Sequence, residues 1–482
     1  MPFLRSPLRF LEPALAWVLG RRIFAVAGLT LKATFRYRLI QVLLLLLAAA
    51  VIGLPAIIKH DGTPAGFTQI LLTYTLGSIT LLLGFATLWL GCGTLSRDIE
   101  ECQMQVVVAK PIQRWEVWVG KWLGILALNA LLLGLSGLTV YALLQARASR
   151  LPPESQQELR QSILVARGSI RPPVPQSVID AEVASLLRAR LEDPAVASMP
   201  REFVRNEITE RVKAEFQVVR PGTIRRWELD FGSRAAALRS QPLAIRAQFY
   251  AASRVYLPSD TTYGGWWEIG PPDGVRHRPD VMSLVAETAH EFTVPAGYLD
   301  DQGKLFVDFY NFNETALLFP LEGGLEVLYP EASFELNLAR ALGIIFCWLA
   351  LLAAIGLTAG SFLSFPVAAF CAVGILLVSA STGTLRQIIE ERGIAGVDNR
   401  TGQVESPGLI NRASIFLARG LLSTINVVRD FSPVDALSTG RSVTWGQLTR
   451  AFAQIVLLMG GLFAAGGILL FTRRELAAAQ GA

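Results

Sequence analysis

The residues best suited to chemistry form a charged and aromatic cluster between two long apolar runs. They lie in the loop 92–122, where acidic residues are followed by valines, by Lys110 and Pro111, and by basic and aromatic residues. An ordinary loop between membrane helices needs only a few turn residues, so this stretch predicts a structured element at the membrane surface that pairs charges with a soluble partner. The predicted docking residues are Arg97, Asp98, Glu100, Glu101, Arg114, Trp115 and Lys121.

The sequence lacks the common patterns for catalysis and metal binding. The sequence contains no Gly-x-x-x-x-Gly-Lys-Ser/Thr loop to hold phosphates and no Gly-x-Ser-x-Gly nucleophile turn. The group Glu287, His290 and Glu291 lacks the helical His-Glu-x-x-His spacing of a zinc protease. We therefore predict no catalytic residue, no metal and no cofactor in this chain. No disulfide framework is expected from the four cysteines, which are Cys92, Cys102, Cys347 and Cys371.

The composition predicts a membrane protein. Hydrophobic residues make up 52% of the chain and charged residues 17%, whereas a soluble domain carries roughly a quarter charged residues. A membrane span needs about 20 helical residues. Six apolar runs are long enough, at 39–58, 69–91, 123–144, 336–362, 363–382 and 452–472. The fourth and fifth are separated only by Ser361, Ser364 and Pro366, and a tight hairpin is predicted there because a single helix would exceed what one span needs.

Basic residues predict the orientation of these spans. Seven Lys and Arg residues precede the first span against a single acid, Glu12, and Arg473 and Arg474 follow the last span. Both termini are thus expected in the cytoplasm, and the loop 383–451, with re-entrant helices as one option, is expected outside. The leader 1–38 predicts either an amphipathic interfacial helix or a topology signal alone. The basic residues assigned to that helix are Arg22, Lys32, Arg36 and Arg38.

The segment 145–335 predicts a soluble domain inserted between the third and fourth spans, on the outer side. Its first part, 145–222, has apolar residues at helical spacing, and its second part, 223–335, alternates with a period of two between turn signals. Short strands at regular spacing favour a β-sandwich or jelly roll. An aromatic stripe is expected in its core, formed by Trp227, Phe231, Phe249, Trp266, Trp267, Phe306 and Phe309. The predicted fold class is a membrane α-helical protein of six transmembrane helices with an inserted extracytoplasmic α+β domain.

Three stretches resemble the permease subunits of ABC transporters of the type-2 exporter class. The first is the acidic helix followed by the turn 111–114 (PIQR) and the pair 120–121 (GK). The second is the turn 356–365, and the third is the end of the chain at 471–476 (FTRREL). Together they cover the membrane-spanning parts of the sequence but not the segment 145–335.

The resemblance implies a multi-pass permease of the cytoplasmic (inner) membrane of a bacterium. A partner ABC ATPase would bind ATP and Mg and would push on the element 96–121 to drive alternating access. Spans 39–144, 336–382 and 452–482 would pair with a second copy or a close relative. The lipid bilayer is a further partner, an extracytoplasmic partner for the outer domain is left open, and no nucleic acid is expected. The sequence leaves the substrate and the direction of transport unknown.

Two other interpretations stay open. One is a lipid-extracting permease similar to the lipopolysaccharide exporters, which also carry a β-rich domain between spans three and four. The other is a membrane scaffold that moves nothing. Two smaller choices also remain: Arg340 either snorkels to the interface or contacts substrate, and Gly356-x-x-x-Gly360 brings helices together either between chains or within one bundle.

Overall fold

The computed structural model describes residues 8–36, 38–54, 64–108, 112–192, 201–252, 261–280, 282–321, 323–380 and 431–474. The chain divides into two compact units. We call residues 1–165 with 333–482 the helical unit and residues 166–332 the β-rich unit. The β-rich unit is therefore an insertion in the sequence of the helical unit, and it lies inside the predicted segment 145–335.

The described helices are α1 (Leu8–Arg36), α2 (Arg38–Ala48), α3 (Pro64–Glu100), α4 (Gln103–Val108), α5 (Arg114–Ala148), α6 (Pro153–Ser162), α7 (Gln176–Leu191), α8 (Arg201–Gln217), α9 (Ala235–Leu238), α10 (Phe334–Phe362), α11 (Phe365–Ala380), α12 (Pro433–Ser438), α13 (Trp445–Ala451) and α14 (Gly461–Arg473). A π-helical turn, Ala49–Gly53, continues α2, and a longer one, Phe452–Gly460, joins α13 to α14.

Four helical segments of the described chain are long and apolar enough to cross a membrane: Gly66–Glu100, Arg114–Ala148, Phe334–Phe362 and Trp445–Arg473. The pair Gly20–Phe35 and Ile40–Gly53, bent by 70°, makes a fifth if it is one span. The helix α11, where the fifth predicted span lies, has 16 residues and is separated from α10 by Leu363 and Ser364. These helices fit a membrane protein, and the predicted loop 383–451 lies outside the described residues up to position 430.

Glycines let α3 and α10 pack backbone against backbone. A Cβ added to Gly356 would lie 2.8 Å from the carbonyl oxygen of Leu88 and 3.0 Å from Cα of Gly91, and one on Gly360 would lie 2.7 Å from the carbonyl oxygen of Cys92. Any side chain at these positions would therefore collide with main-chain atoms, which cannot rotate away. The Gly356-x-x-x-Gly360 motif thus serves a helix pair within this chain.

The described strands of the β-rich unit form three sheets, in which the pairs β2–β10, β5–β10, β4–β11, β3–β9, β4–β8, β6–β7 and β6–β9 are antiparallel. Their bounds are β1 (Val165–Ile170), β2 (Val218–Val219), β3 (Ile224–Asp230), β4 (Leu243–Gln248), β5 (Tyr250–Ala251), β6 (Thr262–Ile269), β7 (Met282–Val285), β8 (Ala289–Val294), β9 (Lys304–Tyr310), β10 (Leu317–Leu318) and β11 (Leu325–Ser333). The strand orders are β1-β11-β4-β8, β3-β9-β6-β7 and, for the small sheet, β2-β10-β5. The two four-stranded sheets line one apolar core, an arrangement typical of a β-sandwich.

The aromatic stripe lies mainly in this core, since Trp227, Phe231, Phe249, Trp267 and Phe309 are all buried. Trp266 is 38% exposed and Phe306 is half-buried. They lie at even-numbered positions on strands whose odd-numbered residues face inward. The prediction that the aromatic stripe lies in the core is therefore correct for most of its members. It is wrong for Trp266 and Phe306, which were included because they are aromatic although they alternate with the inward-facing residues of their strands.

Two segments of the predicted helical part, 145–222, form strands, namely β1 and the two-residue strand β2. The apolar spacing over 154–167 predicts one helix, but α6 ends at Ser162 and β1 begins at Val165. The reason is tertiary: a Cβ on Gly168 would lie 2.3 Å from Cζ of Tyr329, so only glycine lets β1 lie under that ring on β11. The helices α7 and α8 form as predicted and share a small core of their own.

A charged cluster covers the outer side of the β3-β9-β6 strands. Asp308, only 1% exposed, accepts hydrogen bonds from Arg226 (2.8 Å to each oxygen) and from Arg276 (2.7 Å). Arg276 also bonds Glu268 at 2.9 Å, and Tyr310 donates to the same carboxylate at 3.2 Å. Burial by itself raises the pKa of Asp308, but the two guanidinium groups outweigh it and hold the pKa below its ordinary value of 3.8.

The lowered pKa of Asp308 predicts acid sensitivity of the β-rich unit. A carboxyl whose pKa is lower when folded stabilises the fold above its unfolded pKa, and this contribution is lost as pH falls through the folded value. We expect pepsin to cleave the β-rich unit of the detergent-solubilised full chain increasingly below about pH 4. Asp308→Asn should destabilise the unit by roughly 2 kcal/mol at neutral pH, because Arg226 loses its carboxylate partner and Arg276 keeps only Glu268.

The matched control is Glu228→Gln, which removes the more exposed ion pair between Glu228 and Lys304 (2.6 Å). It should cost less than about 1 kcal/mol. Equal protease sensitivity of the two variants at neutral pH would show that the Asp308 cluster does not stabilise the unit.

Candidate functional site

Most of the predicted docking residues meet at one end of the helical unit. The helices α3 and α10 end here, α5 and α11 begin here, and α14 ends at Arg473. We call this region the junction, defined as residues 94–105, 112–121, 361–365 and 471–474. Its contacts join segments that lie up to 360 positions apart in the sequence.

Arg114 holds the end of the last helix. Its Nη1 lies within hydrogen-bond distance of three carbonyl oxygens, those of Phe471 (2.9 Å), Thr472 (2.8 Å) and Arg474 (2.8 Å). The last carbonyls of a helix have no partner within the helix and carry its negative dipole end. A guanidinium at this point therefore satisfies several acceptors at once, and it fixes the start of α5 to the end of α14.

Lys121 joins α5 to α3. Its Nζ donates to the carboxylate of Asp98 at 2.6 Å and to the carbonyl oxygen of Thr94 at 2.8 Å. The Lys121 side chain is only 8% exposed and that of Asp98 is 28% exposed. A buried ammonium is costly without a counter-charge, so this pair is a structural connection between the two helices. The charge of Lys121 is therefore already neutralised within the helical unit.

Glu100 and Arg97 contact the start of α11. A carboxylate oxygen of Glu100 accepts the backbone N–H of Phe365 at 2.9 Å, and the guanidinium of Arg97 lies 4.3 Å from the centre of the Phe365 ring. The first N–H groups of a helix lack partners within the helix. Glu100 therefore caps α11 from another helix, while its side chain stays at the exposed surface of the junction.

Glu101 is the predicted docking residue that the structure leaves facing outward. It lies in the turn after α3, is exposed, and accepts only a hydrogen bond from its neighbour Gln103 at 2.7 Å among the described residues. The sequence could not show that Glu100 and Glu101 have different contacts. Both are acidic residues at the end of α3, and only the position of α11 shows that Glu100 bonds Phe365.

The start of α5 contains two residues that the sequence analysis missed. Gln113 caps the helix, its backbone N–H donates to Glu116 at 2.6 Å, and its side chain accepts from the indole of Trp115. Glu116 is fully buried and belongs to this reciprocal capping box. The Gln-x-x-Glu spacing of residues 113–116 was the signal available in the sequence, although Gln is less usual than Ser or Thr as the first residue of a capping box.

The helix α1 packs along α5 at its glycines. A Cβ on Gly120 would lie 2.6 Å from Cβ of Val26, and one on Gly124 would lie 2.7 Å from the carbonyl oxygen of Ala27. The Gly of the Gly-Lys pair thus provides close helix packing, and its Lys provides the ion pair with Asp98.

The other face of α1 carries exposed apolar residues, with Phe24 at 70% and Leu29 at 68% exposure. Lys32 is exposed beside them and Arg22 is half-buried. Arg36 ends α1 and Arg38 begins α2, and the side chains of these two lie outside the described residues. An apolar face flanked by basic residues is typical of an interfacial helix.

Arg340 binds the segment before α13. It is 8% exposed, its Nη1 donates to the carbonyl oxygen of Val443 at 3.0 Å, and its guanidinium lies 4.9 Å from the centre of the Trp445 ring. Asn337, one turn earlier, bonds the same segment through the carbonyl of Arg441 (2.8 Å) and the N–H of Val443 (2.7 Å). These contacts give Arg340 a structural role in fixing α10 to α13.

Within the described part of the chain, no group of three or more His, Cys, Asp or Glu side chains is placed to hold a metal ion. No family model matches the chain, and neither a curated protein nor a solved structure matches it.

Proposed function

We propose that this chain is the permease subunit of an ABC transporter of the type-2 exporter class, with ATP and Mg bound by a separate ATPase subunit. The observation that carries the proposal is the junction. The stretch 96–121 is bonded to α11 through Glu100 and to α14 through Arg114, and Lys121 bonds α3 to α5 within it. A force applied by a soluble partner to this stretch would therefore reach four spans through direct bonds.

The proposed topology has six spans with both termini in the cytoplasm and the β-rich unit outside. The four long helices, α2 with its π-helical turn, and the α11 region would supply these spans. Two such chains, or this chain and a close relative, would form the substrate path within the inner membrane. The exposed apolar face of α1 would rest on the cytoplasmic leaflet beside the ATPase. The cargo is proposed only as a class, a lipidic or amphipathic molecule, because the spans contain almost no charge.

The outward position of Glu101 gives a direct test. In the proposed complex Glu101 lies at the rim of the ATPase contact, so Glu101→Arg should weaken ATPase binding roughly tenfold and reduce the stimulation of hydrolysis, while the permease keeps its thermal stability. The measurement is recovery of an ABC ATPase with the tagged full chain from its native membrane, followed by ATPase assays of the complex in nanodiscs.

Glu192→Arg is the matched control, since Glu192 is also an exposed acid but belongs to the β-rich unit. Glu100→Arg is a second comparison, and it should also loosen the start of α11 because it removes the cap on Phe365. If no ATPase is recovered with the wild-type chain, the chain is not a transporter subunit and the scaffold interpretation is favoured. Unchanged binding by the Glu101 variant would remove this residue from the contact.

A further inference from the structure

The strand β3 has a free edge in the β-rich unit. It lies at the end of the β3-β9-β6-β7 sheet, and among the described strands it pairs with β9 alone. Two flanking bonds fix the alternation of this pair: the N–H of Asn311 donates to the carbonyl of Thr223 (3.1 Å), and the N–H of Phe231 donates to the carbonyl of Gly303 (3.0 Å). Odd-numbered residues of β3 therefore bond β9, and even-numbered residues turn their N–H and C=O groups outward.

These outward groups belong to Ile224, Arg226 and Glu228, and no described residue bonds them. An unpaired strand edge is a template for another extended chain, and proteins usually protect such edges. Here the strand is seven residues long, which is enough for a full strand partner.

A cavity of about 450 Å³ is lined by Thr223 and by the β3 residues 224–228. Pro172, Pro173, Pro175 and Phe216 also line it and form its apolar wall. Prolines have no N–H to donate, so they cannot bond the outward carbonyl groups of β3 as a neighbouring strand would. The wall offers an apolar surface, and β3 offers backbone donors and acceptors.

The cavity is also lined by a cation, Arg225, that has no counter-charge among the described residues. The guanidinium of Arg225 lies 5.0 Å from the centre of the Trp227 ring, and it forms no ion pair with any described residue. The neighbouring charged residues of β3 are already paired. Arg226 pairs with Asp308 at 2.8 Å, and Glu228 pairs with Lys304 at 2.6 Å. Burial lowers the pKa of Arg225, which indicates an incompletely solvated charge that a carboxylate would stabilise.

We propose that this groove binds an extended acidic segment of a partner protein, which adds as a strand to the free edge of β3 and places a carboxylate on Arg225. The outward backbone groups of β3 select an extended peptide, and Arg225 selects an acid on it. The proline wall excludes water from one side of the added strand. This proposal does not depend on the proposed transport function, because every residue that it uses lies in the β-rich unit.

The test uses a synthetic peptide of about eight residues, a usual strand length, with alternating valine and threonine around two central glutamates. Hydrogen–deuterium exchange is measured on the full chain in nanodiscs with and without this peptide. We expect amide exchange across 224–228 to slow at least tenfold when the peptide is bound. A peptide methylated on alternate backbone nitrogens, and one with lysines in place of the glutamates, should each bind at least tenfold more weakly.

Two pairs of variants separate the roles of backbone and charge. Ile224→Pro removes an outward N–H at the first residue of the strand, where proline is tolerated, and should weaken binding several-fold relative to Ile224→Ala. Arg225→Glu should weaken binding at least tenfold, and Arg225→Lys less. Melting temperatures of the variants check that the unit remains folded.

Several results would overturn the proposal. One is the absence of peptide binding at millimolar concentration, and another is equal binding of the methylated or lysine peptide. Full protection of 224–228 without peptide would show that another part of the chain already occupies the edge. Protection produced by empty phosphatidylglycerol vesicles instead of the peptide would identify the groove as a lipid site.

Discussion

Replacing Gly356 by leucine is expected to prevent correct packing of the helical unit. The added Cβ would lie within 3.1 Å of main-chain atoms of Leu88, Gly91 and Cys92, none of which can move without shifting α3 as a whole. Overpacking typically lowers the free energy of unfolding by about 1–3 kcal/mol. We expect a loss of about 3 kcal/mol or more here, because the added atoms collide with the main chain of another helix. The measurement is the yield of monodisperse protein in detergent, together with its melting temperature.

The same helix pair offers a control at Gly77 of α3, where an added Cβ would meet no atom within 4 Å. Gly77→Leu should leave yield and melting close to wild type, while Gly356→Ala should lie between Gly77→Leu and Gly356→Leu. A Gly356→Leu protein that melts like the Gly77→Leu protein would mean that α3 and α10 do not approach each other as described.

Arg114→Ala is expected to release the end of the last helix from α5. The three carbonyls of Phe471, Thr472 and Arg474 would lose their shared cationic donor. Hydrogen bonds to charged groups contribute about 1.5–3 kcal/mol, so the variant should lose roughly 2 kcal/mol of stability. Hydrogen exchange in the last turn of α14 should accelerate at least tenfold, with no change in the β-rich unit.

Arg473→Ala is the matched control, because Arg473 is the exposed arginine of the same helix end. It should change melting and exchange very little. Arg114→Lys should fall between the two, since one ammonium cannot reproduce the guanidinium geometry. If Arg114→Ala leaves exchange in 471–474 unchanged, the arginine does not hold this helix end.

Long-range periodicity in the sequence was enough to predict the main architecture. Apolar runs marked the helices that the structure places at Gly66–Glu100, Arg114–Ala148, Phe334–Phe362 and Trp445–Arg473. Alternation with a period of two marked β3, β4, β8, β9 and β11 and most of their inward aromatic residues. These patterns are readable because burial of one face, or of a whole helix, acts on every residue of an element in turn.

The roles of the single charged residues were decided by tertiary structure. The sequence predicted Glu100, Glu101, Arg114 and Lys121 as one group of docking residues. In the packed helical unit, Glu100 caps α11, Arg114 bonds the end of α14, and Lys121 forms a buried ion pair with Asp98. Of these four, Glu101 is the one whose side chain bonds only a near neighbour in the sequence, Gln103, among the described residues. Each outcome depends on a partner that lies many positions away, such as Phe365 or Phe471, and no local pattern contains that information.

The order of the strands in the sheets was also decided by contacts between residues far apart in the sequence. The predicted helix 154–167 overlapped the start of β1, because no local pattern shows that Tyr329 lies over Gly168. The sequence of β3 resembles any other alternating strand, and only the sheet order places it at an edge. The sequence by itself determined which residues are apolar and with what period, and therefore the elements and their buried faces. Which elements are neighbours depends on contacts between distant residues, so only the tertiary structure decided which glycines, charges and strand edges are paired and which are left available.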